Sequence, residues 1–99
     1  MVILASCNLL SPTQVGFWNT TTSYTFMEIK LGSIDYQATL APGYSTPFFP
    51  INSGSYTLYT RGTNGILFQW PVPQPISAGH SCVLVFYLNN SIINYTTIN

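Results

Sequence analysis

This sequence predicts an all-β fold: a single small antiparallel β-sandwich of about eight or nine short strands spanning residues 1–99. Three observations carry the prediction. Turn residues punctuate the chain at short intervals, and the segments between them alternate with period two. No stretch shows the 3.6-residue apolar periodicity of a capped helix, and many short strands in a chain of this length mean a sandwich or small barrel.

The elements follow in order. Residues 2–7 are nearly all apolar and form a first strand, and residues 8–13 connect it through Ser11-Pro12 to a second strand at 14–18, closed by Asn19 and three threonines. Residues 23–31 alternate: Tyr24, Phe26, Glu28 and Lys30 fall on one side, Thr25, Met27, Ile29 and Leu31 on the other. Gly32-Ser33 breaks that strand and residues 34–40 form the next. Pro42-Gly43 makes a turn, because proline presets the first corner and glycine accepts positive φ.

Residues 46–51 carry Pro47 and Pro50, so a strand there lies at an edge, where a missing N–H is tolerated. After the Asn52-Ser53-Gly54 turn, residues 55–61 put Tyr56, Leu58 and Thr60 on one face. Asn64-Gly65 marks a hairpin into residues 66–70, with Ile66, Phe68 and Trp70 on one face. Pro71, Pro73 and Pro75 form an extended crossover. Residues 81–88 are apolar on both faces, as a central strand is, and Asn89-Asn90 turns into a last strand at 91–97. Phe68, Trp70, Leu84, Phe86, Leu58 and Tyr56 are the expected core.

Composition limits the function. Only four charges occur in 99 residues (Glu28, Lys30, Asp35 and Arg61), 4% against the roughly 25% of an ordinary domain. Zero net charge rules out a basic stripe for nucleic acid and a polybasic membrane patch. Disorder is excluded by the 46% apolar content, and no apolar run is long enough for a helical membrane span. Ten Ser, twelve Thr, eight Asn and four Gln supply the polar surface instead. A neutral surface of hydroxyls and amides favours association and suits a homo-oligomer or polymer at the cell surface, outside the cell or in a virion. Leu4-Ala5-Ser6-Cys7 has the order of a lipoprotein cleavage box, but six uncharged residues before Cys7 fall short of an export signal.

Several segments resemble one known family. Pro50, Ile51 and Gly54, the alternating Tyr56 and Leu58, and Ile76-Ser77-Ala78-Gly79-His80 before the apolar strand are its motifs, within residues 43–87. Residues 2–8, Ser11-Pro12 and residues 14–19 are similar to its opening. The family is the secreted, Ig-like β-sandwich domain of unknown function of the forty-three ninety-seven type. The resemblance implies an envelope or surface location, a module used in attachment or assembly, and no catalytic residues to carry over. Cys82 stands where the family often has an aromatic, and the family's charged residues are missing here.

Candidate sites are few. Cys7 and Cys82 either form a disulfide closing nearly the whole chain or pack as two thiols. Asn19, Asn89 and Asn94 begin N-x-Ser/Thr sequons, which matter only in a glycosylating compartment. One histidine, two cysteines and two carboxylates are too few for a usual zinc or calcium site, so neither a metal nor another cofactor is expected. His80 and Cys82 lie two apart, but no basic residue is near to hold a thiolate. Asp35 and His80 lack a nucleophile elbow, and Glu28 and Asp35 read as surface partners of Lys30 and Arg61.

The expected function is therefore non-enzymatic: a self-associating structural subunit of a filament, surface layer or virion. Its candidate assembly strand is the uncharged run Val2, Ile3, Leu4, an edge that invites pairing. The alternative is a small carbohydrate-binding or adhesive module, in which Trp18, Tyr44, Tyr59 and Tyr95 face glycans.

Overall fold

The computed structural model describes residues 12–98; the expected strand at residues 2–7, with Val2, Ile3, Leu4 and Cys7, lies outside the described residues. The described chain is all-β. Ten strands follow one another: β1 (Gln14–Asn19), β2 (Phe26–Leu31), β3 (Ile34–Gln37), β4 (Phe49–Pro50), β5 (Gly54–Tyr56), β6 (Leu58–Gly62), β7 (Leu67–Gln69), β8 (Gln74–Ile76), β9 (Ser81–Asn89) and β10 (Ile92–Ile98). They build two four-stranded sheets, ordered β10-β9-β1-β4 and β3-β2-β6-β7, and a small β5-β8 pair. Every pairing is antiparallel except β1 with β9, which run parallel from Gln14↔Ser81 to Asn19↔Phe86.

The two large sheets pack face to face through apolar side chains that alternate inward. From the first come Val15, Phe17, Cys82, Leu84 and Phe86; from the second come Phe26, Ile29, Leu31 and Leu58. Phe26 and Phe86 meet across the middle at 4.4 Å between ring centroids. On one side of the sandwich Tyr36 next to β4 meets Phe49 at 5.6 Å, and on the other Trp70 meets Tyr95 at 5.0 Å. Edges β3 and β4 therefore share one side of the molecule, and β7 and β10 share the other.

β9 has a neighbour on each side, which is why its sequence is apolar throughout. Cys82, Leu84 and Phe86 point into the core, while Val85 on the opposite face is also buried. Leu88, two residues beyond Phe86 on the same side of the strand, is exposed beside the hairpin turn. That turn is Asn90-Ser91, one residue later than expected, with φ of 52° and 66°. Positive φ at both central residues gives the tight turn whose twist matches its flanking strands.

Three further expectations are corrected. In β2 the register against β6 shifts between Phe26 and Glu28. The extra residue of this bulge moves Phe26 to the inner face with Ile29 and Leu31, so simple alternation fails there. Of Ile66, Phe68 and Trp70, only Trp70 is buried: Ile66 belongs to the loop, and Phe68 on edge strand β7 is 53% exposed. The predicted strand at 55–61 is two strands, since the chain leaves β8 at Tyr56 and joins β2 at Leu58.

Candidate functional site

Every charged side chain in the sequence sits in one patch. Topology pairs Lys30 with Asp35 across β2–β3 and Glu28 with Arg61 across β2–β6. Arg61 Nε donates to Glu28 Oε1 at 2.9 Å, and Lys30 Nζ lies 5.6 Å from the Tyr59 ring centre. Glu28 thus pairs with Arg61, not with Lys30 as its neighbour on the strand. Asp35 hydrogen-bonds the Glu28 carboxyl. That bond, and then Arg61, hold Glu28 below the usual carboxylate range, and the same bond raises Asp35.

The other titratable candidates are not brought together. Among the described residues Cys82 is a free thiol, fully buried, with Gln74 Nε2 at 3.8 Å, and burial pushes its pKa up. His80 is exposed in the turn before β9, where its backbone N–H donates to the Ser77 carbonyl and its carbonyl accepts from Gln14 N–H. No cluster of three or more His, Cys, Asp or Glu able to hold a metal occurs among the described residues. Among the described residues no helix is long and apolar enough to cross a membrane.

Asn19 is structural. It is wholly buried; its Nδ2 donates to the carbonyls of Tyr24 (2.7 Å) and Leu40 (3.0 Å), and its Oδ1 accepts from Thr21 N–H and Oγ1. A glycan on that nitrogen has no place in this fold, which removes Asn19 as an acceptor. Asn89 is exposed at the end of β9, and Asn94 is half-buried on β10.

The four glycan-facing candidates divide into three places. Trp18 and Tyr44 are both exposed and lie together, since Trp18 bridges to Ser45 and Asn19 N–H donates to Tyr44 O. With Phe48, which packs over the bare backbone of Gly16, Trp18 borders an open groove of about 340 Å³ floored by Phe17 and Val83. Tyr59 lies beneath Lys30 on the other sheet. Tyr95 packs edge-on against Trp70, with its hydroxyl 3.5 Å from Val72 O.

A second apolar area was not legible in the sequence. Phe68 stands edge-on to Trp70 at 5.1 Å, and a cleft of about 220 Å³ opens between Phe68 and the Ile92–Ile93 end of β10. Phe68, Val72 and Ile92 are each more than half exposed around it. The buried centre is anchored by Trp70, whose Nε1 donates to Thr60 Oγ1 at 3.1 Å. Only the placement of β7 and β10 side by side assembles this surface.

Comparison with protein-family models, with curated proteins and with solved structures gives no match.

Proposed function

We propose that the protein is a non-enzymatic structural subunit that self-associates through strand edges and aromatic patches, as part of an extracellular filament, a cell surface layer or a virion. One observation carries this reading. All four charges are confined to neighbouring positions on β3, β2 and β6, while twelve large apolar side chains among the described residues are exposed. Surface charge keeps ordinary domains apart, and here most of the surface has none. Exposed apolar residues rimmed by neutral polar groups mark interaction sites. The resemblance to the secreted β-sandwich family points toward the same surface role. Electron micrographs of the purified full-length protein test it: regular polymers, sheets or discrete oligomers support the proposal, and dispersed single particles at high concentration refute it.

A second reading rests on the groove between Trp18 and Phe48, with Tyr44 exposed nearby. Exposed rings beside Ser45 and Thr46 suit a neutral sugar, stacked by its apolar face on an aromatic ring. Glycan-array binding by the wild type that Trp18→Ala abolishes would support it; an array without signal would end it.

A further inference from the structure

The two sides of the sandwich are guarded differently. On one side β4 is two residues long, contains Pro50 and follows Pro47, while its neighbour β3 carries Asp35 within the charged patch. Prolines, short length and charge are the devices that prevent edge-to-edge pairing. On the other side β7 (Leu-Phe-Gln) and β10 (Ile-Ile-Asn-Tyr-Thr-Thr-Ile) have neither charge nor proline. Among the described residues, β10 pairs with β9 alone, and no described strand lies along the outer edge of this seven-residue strand.

We infer that β10 of one copy pairs antiparallel with β10 of a second copy about a two-fold axis at Tyr95, extending the β10-β9-β1-β4 sheet across both molecules. This rests on the self-association proposed above and specifies its interface. The register comes from the sequence of β10. By alternation Ile92, Asn94, Thr96 and Ile98 share the outer face, since Ile93 and Tyr95 pack against the core. With Tyr95 on the axis, Ile92 lies opposite Ile98 of the other copy and Asn94 opposite Thr96, both relations occurring twice. On this outer face apolar meets apolar and amide meets hydroxyl, while on the inner face Ile93 meets Thr97 and Tyr95 meets its own copy. Matched cross-strand pairs of this kind stabilise a sheet, and such self-complementarity is what a two-fold interface requires.

Ile92 and Ile98, 65% and 53% exposed, gain cover, and Phe68 and Val72 on the same side of the sandwich stand at the rim. Two seven-residue strands with these flanking side chains would bury on the order of 1,000 Å² in total, about the lower bound for a specific association.

The test is sedimentation velocity on the full-length protein and four variants, each first checked for an unchanged thermal melt. Ile92→Lys and Ile98→Glu alone are expected to sediment as smaller species than wild type at equal concentration. An equal mixture of the two should recover association, because the new lysine then faces the new glutamate. Ile34→Lys, on the guarded side, should associate like wild type, and so should a chain lacking residues 1–5.

If wild type associates but the two β10 variants still do so alone, or fail to recover when mixed, the β10 interface is wrong while the structural role stands. Loss of association on deleting residues 1–5 would make the amino-terminal strand the occupant and overturn the β10 pairing. Loss in Ile34→Lys would overturn it too. A monomeric wild type would instead remove the functional proposal and, with it, this interface.

Discussion

Replacing Asn19 by alanine should destabilise the fold severely although no catalytic or assembly contact is touched. The side chain is fully buried and makes four hydrogen bonds that tie β1 to the 21–24 turn and to Leu40. Each contributes about 1 kcal/mol net. The carbonyls of Tyr24 and Leu40 keep second donors, Thr21 Oγ1 and Phe26 N–H, which limits part of the loss. Thr21 N–H keeps none in this arrangement, and a buried donor left unpaired costs about 1–3 kcal/mol more. The expected total, after local relaxation, is about 3–5 kcal/mol, a large part of the 5–15 kcal/mol typical of a whole domain. Urea unfolding followed by tryptophan fluorescence measures it directly, with Asn52→Ala as an exposed control. A loss below about 1 kcal/mol, roughly the worth of a single hydrogen bond, would refute the reasoning and mean that water or neighbouring hydroxyls replace the amide.

Other outcomes follow from the same structure. Leu84→Ala, at a fully buried position on β9, should cost about 2–5 kcal/mol through lost transfer energy and a residual cavity; an equally stable variant would contradict the central-strand packing. Thermal midpoints should be nearly flat from about pH 3 to pH 9. The depressed Glu28 contributes stability above its unfolded pKa that is lost as pH falls through its folded pKa. The raised Asp35 contributes stability fully present below its unfolded pKa that is lost as pH rises through its folded pKa, so the two oppose each other in the acidic carboxylate range. A collapse in acid would mean the pair is more strongly coupled to the fold than this exposed geometry allows. Cys82 should resist thiol reagents in the native protein and react only on unfolding; fast native labelling would show that the β9 core opens readily. In a glycosylating host, chains carrying a glycan on Asn94 should be monomeric, because the sugar would stand over the β10 junction; glycosylated oligomers joined through β10 would contradict that.

What the sequence makes legible is the local alternation and the turns. Leu58 and Thr60 face inward as expected, β9 is central because it is apolar on both faces, and Pro47 and Pro50 mark an edge. Alternation assigns a residue to a face but does not say whether that face is covered. Phe68 shows the limit: it shares a side with Trp70, yet it lies on an edge where the facing sheet ends. The β2 bulge is silent for a related reason, since one extra residue in a strand leaves no compositional mark when both Phe26 and Met27 are apolar. Long-range pairing is least legible of all. Nothing local joins residue 28 to residue 61 or sets β7 beside β10, so both the single charged patch and the unguarded side appear only with the topology. Asn19 carries a glycosylation pattern in sequence and a buried hydrogen-bonding role in the fold, and only its surroundings separate the two.

The most direct test of the central claim is the solution mass of the full-length wild-type chain, by sedimentation equilibrium over about a hundredfold range of concentration at low and high salt. A surface with its few charges confined to one patch should give a mass that rises with concentration and depends little on salt, since apolar contacts and strand pairing are not screened. A constant monomer mass throughout, or an association that vanishes in salt, would contradict the account.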